Sequence, residues 1–181
     1  NHTVAYDTEG QEYDNHNFNS GQFNIFRMWN YTYWPIGRAN SYLANHDQLV
    51  ELHGDNWTNL DRFKGECLFQ RAYWTFFGIN AFGEIPLVLD EFPEGSPKPN
   101  STYQELYDQV IADCNEIINN NLLPNWQVFD GTANEGRATV GAAKTLLGKV
   151  YLTRATSPVG QPGDFAQAAT TLKNVIDTEG Y

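Results

Sequence analysis

Side chains able to hold a sugar crowd the first seventeen residues. Tyr6 and Tyr13 offer flat rings, while Asp7, Asn15 and Asn17 set acceptors and donors beside them. Ring faces stack on the C–H side of a pyranose, and planar amides and carboxylates bond its hydroxyls. The same mixture marks the whole chain, which carries 26 aromatic residues and 19 asparagines. Most of those rings are needed inside, since large rings dominate core burial. The informative rings are therefore the ones outside any helical period. Trp57 and Trp126 are two of these, in stretches where an exposed indole is unusual. A structural wedge is the competing reading for each. The candidate ligand-binding set is thus Tyr6, Asp7, Tyr13, Asn15, Asn17, Trp57 and Trp126. Trp29, Trp34 and Trp74 fall at helical positions and are expected in the core.

Bond-breaking chemistry finds little support. Glycoside hydrolysis needs two carboxylates about 5–10 Å apart across the scissile bond. No pair stands in such a setting, and Asp90-Glu91 beside a proline-rich turn reads as solvated. Glu66, with Arg62 one turn before it and Arg71 close by, has the look of a tuned acid, yet an i,i+4 ion pair explains the spacing without chemistry. Arg38, Arg71, Arg137 and Arg154 are expected to tie adjacent helices together. His46-Asp47 and His53 resemble metal spacing only loosely and lack a third ligand. Asn15-x-Asn17-x-Asn19 hints at a calcium loop but has neither the glycine at position six nor the glutamate at position twelve. No catalytic residue, metal or cofactor is assigned. Cys67 and Cys114 sit on apolar stripes and read as small buried residues rather than a disulfide.

Charge removes further classes. The 181 residues include 11 basic and 22 acidic side chains, a net charge of -11, and the isoelectric point is near 4.6. Such a field repels phosphate backbones and anionic headgroups, so neither nucleic acid nor a polybasic membrane contact is expected. No apolar run approaches the ~18 residues of a membrane-spanning helix.

The elements that must position these groups read as helices. Residues 1–22 have no period and form a long loop, and the helical scaffold occupies 23–181 as a single domain. Phe26, Trp29, Tyr33, Ile36, Ala39, Asn40 and Leu43 recur by three and four, predicting a helix from about Phe23 to His46 that Pro35 kinks or breaks. A connecting turn is expected from His46 to Asn56. Thr58 with Asp61 predicts a capping box for the next helix, with Phe63, Cys67, Ala72, Phe76 and Phe77 available to face inward. Four prolines make 83–100 an extended connector. Thr102 and Glu105 cap a third helix whose stripe runs Tyr103, Leu106, Val110, Ile111, Cys114, Ile117, Ile118. After an irregular stretch, 122–137, helices follow at about Thr139–Arg154 and Asp164–Thr178. Leu147-Gly148-x2-Tyr151 reproduces part of a tetratricopeptide first helix, with Gly148 and Ala143 letting a neighbour approach. Asp164-Phe165-x2-Ala168 opens the second. The fold class is all-α: degenerate tetratricopeptide-like hairpins with long loop insertions.

Three segments in order, WNYTYWPIGRANSYL at 29–43, GECLFQRAYWTFFGINAFGEIPLV at 65–88, and TYQELYDQVIADCNEI followed by LLP and GRATVGAAKTLLGKVYLTRA, together resemble the SusD/RagB family. That resemblance implies a SusD-like helical superhelix and a non-catalytic protein that binds oligo- or polysaccharide at the bacterial outer membrane. It further implies a surface lipoprotein seated on a TonB-dependent transporter of the SusC type, its membrane contact made through a lipid anchor outside this chain. Ligand contacts in the family come from loops, one of them upstream of the first matching helix, here residues 1–22. The family's chains are longer, so this sequence is expected to be an N-terminal portion.

Three rivals remain. A glycoside hydrolase would need the missing carboxylate pair. A tetratricopeptide-type protein-binding scaffold would need uninterrupted repeats, against which the inserts at 83–100, 119–137 and 157–163 argue. Peptide capture within the same family is not separated from glycan capture by any residue pattern.

Overall fold

The computed structural model describes residues 21–54, 56–90, 98–125 and 136–179. Among them are five helices and no strand: α1 (Phe23–His53), α2 (Leu60–Phe82), α3 (Tyr103–Asn119), α4 (Val140–Ala155) and α5 (Asp164–Thr178). Each helix packs on the next in the chain, as an all-α stack of hairpins requires. Among the described residues no helix is long and apolar enough to cross a membrane.

The cause is clearest in α3. Leu106, Tyr107, Val110, Cys114 and Ile117 recur every three or four residues and are all buried. The Thr102 hydroxyl accepts from the Glu105 N–H while the Glu105 carboxylate accepts from the Thr102 N–H, the reciprocal cap its spacing foretells. Around this helix one core gathers Tyr33 and Ile36 of α1, Ala72, Phe76 and Ile79 of α2, Leu146, Leu147, Val150 and Tyr151 of α4, and Ala168 of α5. Each fully buried aliphatic side chain there contributes about 1.5–3 kcal/mol. The connector after α2 belongs to the same core through Ile85 and Val88. It is strapped to α1: the Tyr33 hydroxyl donates to the Pro86 carbonyl at 2.8 Å and the Asn40 amide to the Val88 carbonyl at 2.9 Å.

Two glycines set interhelical spacing. A Cβ added at Gly148 would lie 2.6 Å from Leu172 Cγ, which is why α4 and α5 approach closely. One added at Gly78 would meet Ile85 Cδ1 at 2.5 Å and Thr32 Cγ2 at 3.0 Å. Polar ties complete the stack. Arg71 joins α2 to α3 through Asp113, and Arg154 joins the end of α4 to the start of α5 through Asp164 at 2.6 Å.

Several expectations need correction. The first helix does not stop near His46 but continues to His53, with Gly54 as its C-cap. His46 prolongs the inward stripe as a buried residue, its Nδ1 3.5 Å from the Tyr42 hydroxyl and its Nε2 3.5 Å from Asp61. Pro35 makes no break. The helix passes through it, held on either side by buried Thr32, Tyr33 and Ile36. No Thr58–Asp61 capping box forms: the N-cap is Asn59, without a side-chain bond, and Asp61 turns to His46. Phe26 is 58% exposed and Phe63 37%, so neither faces inward; Leu60, Leu68, Ala72, Phe76 and Ile79 do on α2. Trp29 packs on the core as expected, at 4.9 Å from Tyr33 and 5.2 Å from Phe82 between ring centroids. Trp34 does not; it is 59% exposed. Gly180, expected to end the last helix, lies outside the described residues.

Candidate functional site

Where the sequence places Trp34 one residue past the buried Tyr33, the helix turns it about 100° away from the core. The row Tyr31, Trp34, Arg38, spaced by three and four, therefore runs along the outer side of α1. Opposite it α2 presents Glu66, Gln70 and Trp74, spaced by four. Between the two rows lies an open groove of about 520 Å³, lined by these six with Pro35, Ala39 and Cys67. A second hollow of about 440 Å³ shares Tyr31 and Trp74 and continues toward the start of α1 through Asn24, Arg27, Met28, Tyr73 and Phe77. From Asn24 to Arg38 the trench follows roughly 21 Å of helix at 1.5 Å per residue.

The rings hold one another in place. Tyr31 and Trp34 meet edge-to-face at 5.6 Å, as do Tyr73 and Trp74 and Trp74 and Phe77, both at 5.4 Å. Such pairs contribute about 0.5–1.5 kcal/mol beyond area burial. The Arg27 guanidinium lies 5.5 Å from the Phe23 and Tyr31 ring centres and donates to the Tyr31 hydroxyl at 2.8 Å. Trp74 Nε1–H donates to Gln70 Oε1 at 3.0 Å, leaving the Gln70 amide nitrogen available as a donor. Trench and core thus share one hairpin and use largely different faces of it, meeting at Ala39 and Trp74.

Charge in the trench is arranged, not scattered. Glu66 is the one carboxylate among the lining residues. Its Oε1 accepts from Arg62 Nε at 3.2 Å and Arg137 Nε at 2.8 Å, and its Oε2 accepts from Arg137 Nη2 at 2.7 Å. The foreseen Arg62–Glu66 pair is present, and Arg137 adds a bond from across the fold. Arg71 and Arg154 also tie helices as expected. Arg38 does not: among the described residues it enters no ion pair. Cys67 at the groove floor is a free thiol whose pKa burial, with Glu66 nearby, pushes up to about 11 against the opposing pull of Arg71. A thiol so held stays protonated at neutral pH and is no nucleophile. Cys114 is likewise free, and burial raises its pKa as well.

Of the seven candidate ligand-binding residues read from the sequence, Trp57 alone is described. It is 51% exposed and stacks on His53 at 4.3 Å with the rings 15° apart. Trp57 thus sits at the turn after α1, and its stacking partner His53 lies nineteen residues beyond Trp34, roughly 28 Å along the helix. Trp57 and the trench are separate features. Tyr6, Asp7, Tyr13, Asn15, Asn17 and Trp126 lie outside the described residues. The trench residues Tyr31, Trp34, Arg38, Gln70 and Trp74 were not in the candidate set. Their signal was available: a second row at helical spacing, offset from the apolar stripe, in which every side chain from Tyr31 to Arg38 is planar.

Comparison with known proteins bears on this geometry. Residues 1–152 match the SusD-like family described as starch-binding and associating with the outer membrane. Among curated proteins none matches. The chain is similar to a SusD homologue from Bacteroides thetaiotaomicron VPI-5482, with 23% identity and a TM-score of 0.80, over 90% of this chain and 31% of that one. A SusD superfamily protein from Parabacteroides distasonis ATCC 8503 gives 24% identity and 0.79, over 94% and 35%. A laminarin-binding SusD-like protein gives 29% identity and 0.65, over 85% and 30%. The chain spans about a third of the length of these solved structures.

Proposed function

The chain belongs to the SusD-like family, and from that premise we propose that it binds glycans without cleaving them, at the surface of a bacterial outer membrane, and delivers them to a TonB-dependent transporter. The observation that carries this reading is the trench itself. Tyr31, Trp34 and Trp74 give ring faces for pyranose stacking, and Arg38, Gln70 and Arg27 give planar donors for hydroxyls around them. An open groove running along two helices suits an extended chain better than a single sugar. Its one carboxylate is clamped by two arginines, so the residues on hand support holding, not hydrolysis. The laminarin-binding relative supports the cargo class. Lipid anchoring and partnership with a SusC-like transporter belong to the same proposal.

Affinity electrophoresis of the 181-residue chain through gels cast with laminarin, xyloglucan, xylan or starch tests it. Retardation by at least one polysaccharide, lost in Trp34→Ala, is the expected result. Free migration in every gel, with the helical circular dichroism spectrum intact, overturns the reading.

A further inference from the structure

We propose that the trench selects a glycan whose neutral backbone bears an isolated carboxylate, such as a uronic acid side group, and that Arg38 receives that carboxylate. This rests on the glycan-binding reading above and adds the chemical class of the ligand. The observation behind it is a census of cations in a chain with twice as many acids as bases. Eight basic side chains, Arg62, Lys64, Arg71, Lys98, Arg137, Lys144, Arg154 and Lys173, stand in ion pairs. Of the remaining three, Arg27 is engaged by the Phe23 and Tyr31 rings and the Tyr31 hydroxyl, while Arg38 and Lys149 enter no ion pair among the described residues, and of these two only Arg38 lies in the groove with Trp34 and Trp74.

The surroundings of Arg38 keep it that way. On its own helix the next residues along the same row are Ser41, Tyr42 and Asn45, none of them acidic. Across the groove Glu66 has its oxygens occupied by Arg62 and Arg137. One terminal nitrogen of Arg62 is itself buried without a partner, and at this end of the trench three guanidinium groups, Arg38, Arg62 and Arg137, accompany a single lining carboxylate. A planar guanidinium matches a carboxylate through two parallel bonds, and nearby rings lower the hydration competing for it.

Net charge sets the limit on the ligand. At -11 the whole chain repels a polyanion at long range, whereas a single carboxylate on a neutral backbone meets mainly the local field. Stacking then supplies the bulk of the affinity and Arg38 the preference.

Isothermal titration of the 181-residue chain with matched glycans tests this: glucuronoxylan oligosaccharides, the same oligosaccharides with the carboxyls reduced to alcohols, polygalacturonate oligosaccharides and laminarin oligosaccharides. The acidic xylan fragment is expected to bind roughly tenfold tighter than its reduced form, the scale of one charge-assisted contact at a partly exposed site. Arg38→Gln is expected to erase that preference, Arg38→Lys to keep part of it, and polygalacturonate to bind less tightly than the sparsely charged fragment. Equal affinities for the acidic and reduced fragments, a preference that survives Arg38→Gln, or tight polygalacturonate binding overturns the proposal while leaving glycan capture standing. Binding to laminarin with no binding to either xylan fragment does the same. No heat with any glycan overturns both.

Discussion

Arg71 of α2 grips Asp113 of α3 through two parallel bonds, Nε to Oδ2 at 2.8 Å and Nη2 to Oδ1 at 2.7 Å, while its Nη1 donates to Asn40 Oδ1 on α1 at 3.2 Å. One guanidinium thus fixes three consecutive helices. Gln109 adds a further donor to Asp113 at 2.8 Å. Burial is the largest influence on Asp113 and raises its pKa, with Arg71 and Gln109 opposing it. Arg71→Leu would strand that buried group, and a loss of roughly 3–5 kcal/mol in urea unfolding is expected. Pairing Arg71→Leu with Asp113→Leu should recover a large part. A single-variant loss within the ~1 kcal/mol typical of exposed pairs would contradict the tie.

Acid should loosen the α4–α5 hairpin. Asp164 accepts from Arg154 Nη2 at 2.6 Å and from the Gln161 N–H at 2.8 Å. Chiefly through Arg154, its pKa is held below the usual carboxylate value. A depressed folded pKa stabilises the fold above the unfolded value near 3.9, and that stability drains away as pH falls toward the folded one. Thermal melts of the wild type should therefore steepen their decline below about pH 4. Asp164→Asn should melt lower at neutral pH and show a shallower acid limb.

Cys67 offers a chemical probe of the groove. With its pKa near 11, iodoacetamide should alkylate it slowly at pH 8 and faster with each step toward pH 10, the rate following the thiolate fraction. A glycan seated in the trench should slow the reaction. Fast labelling at pH 8 in folded protein would show that the thiol is not held as described.

Trp34 and Trp74 separate binding from folding. Trp34 is exposed, so Trp34→Ala should leave the melting temperature nearly unchanged while weakening glycan binding about tenfold, a loss of ~1.4 kcal/mol. Trp74 also packs on the core, so Trp74→Ala should lose both affinity and stability. Titration calorimetry beside thermal melts reads the two effects.

The two contact glycines should respond unequally to alanine. Gly78 faces Ile85 and Thr32, both fully buried, so overpacking there should cost about 1–3 kcal/mol. At Gly148 the added carbon meets Cγ and Cδ2 of half-buried Leu172 at 2.6 and 2.7 Å, so that side chain must shift, and about 1 kcal/mol of helix propensity offsets part of the cost. Denaturant midpoints of the two variants compare them directly.

Much of this architecture was legible because period-3.6 burial and capping are local. The α3 stripe, the Thr102–Glu105 cap and the Gly148 approach could all be read from neighbours in sequence. His46 misled because a polar residue on an apolar stripe looks like a boundary until Tyr42 and Asp61 are seen to satisfy it. Trp34 misled for a related reason. An indole at helical spacing is ordinarily inside, and only its one-residue offset from Tyr33 says otherwise. Arg137 could not be assigned to Glu66 from sequence, since 71 residues separate them. The trench needs two helices side by side, which no single-helix pattern declares.

On α1 the residues that hold the fold, Tyr33, Ile36 and Asn40, interleave with those that face the trench, Tyr31, Trp34 and Arg38, and only Ala39 among the lining residues of this helix is also buried in the core. Evolution can therefore swap the outward letters while the inward ones keep the hairpin upright. Substitutions at these exposed positions should reshape the outer surface of the hairpin while leaving its melting temperature close to that of the wild type.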